Sequence, residues 1–293
     1  MSVRNNEDRI GSQPDHDPPP MPIGDIEPAG KNNGASNMPL SFATPTEIVE
    51  LPSRGKYYPP GHALHNTDNV EIKFMTAKEE DILSSRSLIR EGVVLDRLLS
   101  NIIIDKRIDV NDLLVGDKNM LIVAARITGY GEIYDTNVNC PVCGLASQYS
   151  FDLTDAEVNH GGVHDAPGVV ETEDGTFKFV LPKAKVEVEV RFLNGNDEKK
   201  LNHLAEKKKK YNLGETIYTD QLRASIVAVN GNADIAVVGS FVENMPALDS
   251  RHYRSTMSKI TPNINMSQIF NCQNCGHESD MEVPFTADFF WPK

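Results

Sequence analysis

Cys140-Pro141-Val142-Cys143-Gly144 and Cys272-Gln273-Asn274-Cys275-Gly276 are two copies of one pattern, C-x-x-C-G, and they hold all four cysteines of the 293-residue chain. Two thiolates three positions apart converge on one tetrahedral ion, and the glycine that follows permits the tight turn. Each pair is followed by alternating apolar residues: Tyr149, Phe151 and Leu153 after the first, Met281, Val283 and Phe285 after the second. That alternation is a strand signature, so both pairs read as knuckles at the tips of hairpins. Two knuckles complete a shell of four thiolates, Cys140, Cys143, Cys272 and Cys275, around one structural Zn2+ per chain. Four thiolates leave no position for a substrate water. The alternatives are two redox dithiols, or two separate sites completed by other residues such as His277. A redox pair usually opens a helix, whereas strands follow both pairs here. The 128 residues between the knuckles exceed the loop of an ordinary zinc ribbon. The ion therefore ties the end of the chain back to its middle.

The segments before the knuckles also match. Glu71-Ile72-Lys73-Phe74-Met75 parallels Glu189-Val190-Arg191-Phe192-Leu193, and each precedes a helix start. Asp117 lies 23 positions before Cys140, and Asp249 lies 23 positions before Cys272. Both are read as N-caps of the helix that leads to the knuckle. The spacing predicts an internal duplication, with residues about 66–153 and 176–286 as related modules. Chance similarity of two zinc-knuckle hairpins is the plainer alternative. The second half is longer by 14 residues between strand and knuckle, a surplus expected near Lys207-Lys208-Lys209-Lys210-Tyr211.

The fold class is thus α+β: two related strand-helix-knuckle modules joined by a four-cysteine, zinc-ribbon-like site. Thr76 with Glu79 three positions on is a capping-box pattern, which predicts a helix over 77–84. Val94, Leu95, Leu98, Leu99 and Ile102 mark a second helix over 93–103. A third starts at Asp117 and stops at Gly129-Tyr130-Gly131. In the second half a hairpin is expected over 176–193. Helices are expected over 197–210, 219–229 and 249–257. Residues 154–175 carry six acids and no Lys or Arg and are read as an acidic linker. Residues 1–44, with Asp17-Pro18-Pro19-Pro20, have too few large apolar groups to offset their ordering entropy and are read as a disordered or partner-ordered arm. The expected domains are therefore the arm 1–44, module 1 over 45–153, the linker 154–175 and module 2 over 176–293.

Hydrophobic residues make up 39% of the chain, enough for a core, and the formal net charge is −13. Such a charge disfavours general nucleic-acid binding, which needs clustered cations. No apolar run approaches the ~20 residues of a membrane span, and the polar start lacks a signal-peptide core. The chain is read as made and kept in a cytoplasm. His160 and His164 could share a metal on a helix, but Gly161-Gly162 between them argues for a surface loop. The lysines 207–210 suit a solvated helix end. There is no glycine-rich phosphate loop, G-x-S-x-G or H-E-x-x-H. Nothing in the sequence supports an enzyme.

Three stretches carry a resemblance: ELPSRGKYYPPG (50–61), DLLVGDKNMLIVAARITGYG (112–131) with CPVCG after it, and CQNCGHESDMEVPFTADFFWP (272–292). Together they resemble the baseplate hub proteins of T-even-like contractile-tailed bacteriophages, over about residues 45–293. The resemblance implies a non-enzymatic structural subunit of a tail baseplate hub, in the virion and in the host cytoplasm during assembly. Expected partners are hub, spike, tail-tube or tape-measure proteins, with several copies in a symmetric assembly. A zinc-ribbon nucleic-acid-binding or transcription-related protein is the alternative, and the neutral or acidic knuckle neighbours Pro141, Val142, Gln273, Asn274 and Glu278 count against it. The crowded Phe289, Phe290 and Trp291 at the C-terminus are read as contacts to another subunit.

Overall fold

The computed structural model describes residues 44–290 apart from 165, 215, 285 and 286, and the expected arm lies outside them but for Thr44. The first half opens with β1 (Thr46–Glu50) and β2 (Asn69–Lys73), antiparallel with Ile48 opposite Glu71. Val70 and Ile72 point inward, as their alternation with polar neighbours requires. The α1 helix (Ala77–Ser84) begins at the expected capping box, where the Thr76 amide donates to Glu79 at 2.8 Å. A short α2 (Arg86–Glu91), absent from the sequence reading, ends on Gly92 in the left-handed region. Then α3 (Val94–Ile102) buries Leu98, Leu99 and Ile102, and Ile103 bridges back to Ile72. The long α4 (Val115–Tyr130) runs into the hairpin β3 (Ile133–Asn139) and β4 (Ala146–Asp152).

Residues 154–175, expected as a linker, hold β5 (Glu157–Asn159) and β6 (Val170–Glu171). β6 pairs with β7 (Phe177–Val180), and β7 with β8 (Glu187–Val190). The acids in this stretch did not keep it off the protein, because Val158 and Val170 sit in short ladders whose backbone bonds need no apolar face. After β8, a capping box at Asn194 and Asp197 starts α5 (Gly195–Lys210). α6 (Ile217–Ser225) stops earlier than expected: Ile226–Val229 form β9, which pairs with β8. Three β-branched residues in those four positions favour strand over helix. Next come α7 (Ile235–Glu243), also absent from the sequence reading, and α8 (Ala247–Ile260). β10 (Asn263–Asn265) pairs with β5, and the hairpin β11 (Ser267–Asn271) and β12 (Glu278–Glu282) closes the chain.

Asp117 and Asp249 are not N-caps. Leu114 and Pro246 hold those positions, and both acids lie in the first helical turn, fully buried. Asp117 accepts from the Ser53 amide (2.9 Å), the Ser53 hydroxyl (2.6 Å) and the Tyr58 hydroxyl (2.7 Å). Asp249 accepts from the amides of Lys183 (2.7 Å) and Ala184 (2.8 Å). Each acid thus holds the loop between the first two strands of its half. Burial raises the Asp117 pKa, against the lowering pull of its Ser53 and Tyr58 donors.

Two apolar clusters fill the described residues. One joins Val70, Ile72, Leu98, Leu121 and Phe151 to Ile264, Phe270, Val283, Phe289 and Phe290. The other holds Phe177, Phe179, Val188, Leu222, Val238 and Tyr253. The last hairpin therefore packs on the first half. Close backbone approach locks the crossing: a Cβ on Gly116 would lie 2.0 Å from the Pro262 carbonyl oxygen. The Val115 amide donates to Leu193 (3.1 Å) and the Gly195 amide to Leu113 (3.0 Å).

Candidate metal centre

Each knuckle is a hairpin tip built from backbone bonds. In the first, the Cys140 amide donates to Leu145 (3.0 Å) and the Gly144 amide returns to Cys140 (2.9 Å). In the second, the Cys272 amide donates to His277 (2.8 Å) and the Gly276 amide returns to Cys272 (2.8 Å). Gly144 and Gly276 have φ of 70° and 69°, left-handed values that make glycine the fitting residue at both turns. The packing of the last hairpin on the first half brings the two tips together.

All four Sγ atoms lie within 4.8 Å of one another. Cys140 and Cys275 are 3.7 Å apart and Cys143 and Cys272 3.8 Å apart, far longer than the ~2.05 Å of a disulfide. Four sulfurs around a zinc at ~2.3 Å would be separated by about 3.8 Å, so the quartet fits a tetrahedral ion. Cys140 and Cys272 are buried, Cys143 is half-buried and Cys275 is exposed. The backbone amides of Cys275 and Asn274 pull the Cys272 thiol down to about 6. The Leu145 amide lowers Cys143 in the same way. Cys275 goes up to about 12: the His277 amide pulls it down, but desolvation and the neighbouring cysteines outweigh that pull. Four thiolates packed this closely repel one another, and a bound dication would relieve that repulsion. His277 supplies backbone rather than its ring, and among the described residues no other group of three or more His, Cys, Asp or Glu side chains gathers in this way.

The remaining candidates are placed as follows. His160 faces Arg54 (3.1 Å) and the Pro52 carbonyl (3.1 Å) in a loop whose Gly161 has φ of 69°, and among the described residues it joins no group of three or more metal-ligating side chains. The lysines 207–210 form the last turn of α5, where cations suit the helix dipole. Phe289 and Phe290, expected to meet another subunit, are instead buried in their own chain, 2% and 4% exposed. Phe289 packs edge-on against Tyr134 and Phe290. Trp291 lies outside the described residues. Arg126 shares the buried face of α4 with Leu121, Ile122 and Ala125. It is 1% exposed and donates to the carbonyls of Phe289 (2.6 Å), Gly131 (2.8 Å) and Ile133 (3.1 Å). An arginine on an otherwise apolar helix face was the available signal, since buried cations need such partners.

The site and fold define a mixed α/β protein with one cluster of four thiolates that could hold a metal ion. A family model described as "T4 bacteriophage base plate protein" matches residues 44–291, and the chain belongs to that family. No curated protein and no solved structure matches it. Membership implies a place in the phage tail and contacts with other tail proteins, and it suggests a structural rather than an enzymatic role.

Proposed function

We propose that this chain is a non-enzymatic structural subunit of the baseplate hub, and that one zinc ion on Cys140, Cys143, Cys272 and Cys275 clamps two copies of a single module. The observation that carries the zinc is the sulfur spacing, 3.7 and 3.8 Å, which matches the edge of a zinc–thiolate tetrahedron. With four ligands the ion has no open position, so it acts on the fold rather than on a substrate.

The duplication is supported by equivalent contacts that sequence identity does not carry. Lys73 pairs with Glu79 at 2.8 Å, and Arg191 with Asp197 at 2.6 Å, both six positions apart across a strand end and a capping box. Ile103 after α3 bridges Ile72, as Ile226 after α6 pairs with Val190. Leu51-Pro52-Ser53 and Leu181-Pro182-Lys183 present the residue held by the buried acid.

The partners proposed are hub, spike, tail-tube or tape-measure proteins, with Trp291 as the aromatic contact of the C-terminus. Quantitative mass spectrometry of purified virions tests the structural role. Several copies per tail are expected. Absence from finished tails would make the chain an assembly factor instead.

A further inference from the structure

Charge is unevenly divided along this chain. Residues 127–177 and 260–292, which carry the two knuckle hairpins, have thirteen acids and no Lys or Arg. They account for the whole net charge of −13, so the rest of the chain is balanced. Three of these acids form a ladder on β12. Glu278, Asp280 and Glu282 share its exposed face, because alternate strand residues lie on one side. Asn271, Ile269 and Ser267 of β11 oppose them, so no cation faces the ladder across the hairpin. Ile269 is 62% exposed at its centre. At ~3.3 Å per residue the ladder spans about 13 Å.

The α8 helix is its counterpart in sign. Asp249, Tyr253, Thr256 and Ile260 form its buried stripe. Asp249 is the sole acid of the helix, and the Lys183 and Ala184 amides occupy it. The opposite side therefore presents Arg251, Arg254 and Lys259, all exposed, and no carboxylate. Lys183 and Lys185 stand in the loop that Asp249 holds, with Glu187 as the acid beside them. Arg254 lies over the Tyr218 ring at 4.5 Å. Among the described residues, none of the three α8 cations and none of the three β12 acids has an ion-pair partner. From Arg251 to Lys259 the helix rises about 12 Å at ~1.5 Å per residue, close to the length of the ladder. Leu248, 58% exposed, adds an apolar residue to this surface, as Ile269 does to the other.

We propose that the exposed face of α8 in one copy of this chain docks on the β12 acid ladder of a second copy. Both halves of the match lie on one chain and do not meet there: Tyr253 and Ile260 of α8 pack in the second apolar cluster, whereas Phe270 and Val283 at the last hairpin pack in the first. Complementary rows of charge steer such an encounter and fix its register. Because the two surfaces differ, the contact is head to tail, and it closes into a ring where the rotation between copies allows. The inference deepens the multicopy reading above and rests on it. Counting copies in virions tests that reading, and the experiment below tests the contact.

Sedimentation velocity of the full chain reads the association. Wild type should self-associate at about 50 mM salt and dissociate at about 500 mM, where exposed charges are screened. R251E/R254E/K259E and E278K/D280K/E282K change only exposed, unpaired side chains, so both melting temperatures should hold. Each variant alone should associate at least about tenfold more weakly than wild type. Mixed in equal amounts, the two should associate again, since the acidic α8 of one then faces the basic β12 of the other. A wild type that stays monomeric at low salt would overturn the proposal. So would a mixture as weak as its components, or association that neither variant changes. A monomeric wild type that binds a single-stranded oligonucleotide, and loses it in R251E/R254E/K259E, would give the face to nucleic acid and also overturn it.

Discussion

Asp117 and Asp249 do one job in two ways. Asp117 holds its loop through the Ser53 amide and hydroxyl and the Tyr58 hydroxyl. Asp249 holds its loop through two backbone amides alone. Any residue can donate a backbone N–H, so the second loop is free to read Lys183-Ala184 where the first needs Ser53 and Tyr58. Under the proposed duplication, the difference teaches how two copies can keep one architecture while sharing few side chains. Contacts made by side chains leave a mark in the sequence, and contacts made by the backbone do not.

The largest test of that architecture is its clamp. Cys140→Ser should leave a three-thiolate site and forfeit much of a metal contribution on the order of 10 kcal/mol. The chain should then fail to reach its cooperative native state, as read by thermal unfolding with and without a chelator. An unchanged melting temperature would mean that the halves need no metal.

Next come the two acids. Asp117→Ala and Asp249→Ala should each cost about 3 kcal/mol or more in denaturant unfolding, because each leaves buried donors unsatisfied. The comparison sharpens one residue further along. Ser53→Ala removes a 2.6 Å hydroxyl bond to Asp117 and should cost about 1.5 kcal/mol. Lys183→Ala keeps its amide and should stay within about 0.5 kcal/mol of the wild type. Equal losses at both positions would mean that the second loop depends on its side chain as much as the first does.

The smallest effect is a pH dependence shared by the halves. Burial alone would raise Glu79, but its bonds to Lys73 and Thr76 outweigh that and hold it below the usual range. Asp197 is lowered in the same way by Arg191 and Asn194. Carboxyls depressed in the folded state stabilise it above their unfolded values, about 4, and lose that contribution as pH falls through the folded ones. Wild type should therefore lose its advantage over Glu79→Gln and Asp197→Asn below about pH 4. A difference constant from pH 3 to 7 would contradict the assignment.

Much of this was legible in the residues. Thr76 with Glu79, the glycine at 131, and the alternation after each knuckle marked real boundaries. The four cysteines marked the cluster because thiolates have few other uses at such spacing. What escaped reading was set by tertiary contact. Asp117 and Asp249 look like caps, since an acid near a helix start is the usual cap, yet loops distant in sequence claim them. Residues 154–175 look like a linker because short ladders such as β5 with β10 rest on backbone bonds. Phe289 and Phe290 look like an external anchor because only the folded chain brings Tyr134 and Arg126 to them.

X-ray absorption at the zinc edge of the purified full-length chain tests the shared clamp most directly. The account predicts one zinc per chain with four sulfur neighbours at about 2.3 Å and no nitrogen or oxygen in the first shell. Two zinc ions per chain, a mixed sulfur–nitrogen shell, or no bound metal would contradict it.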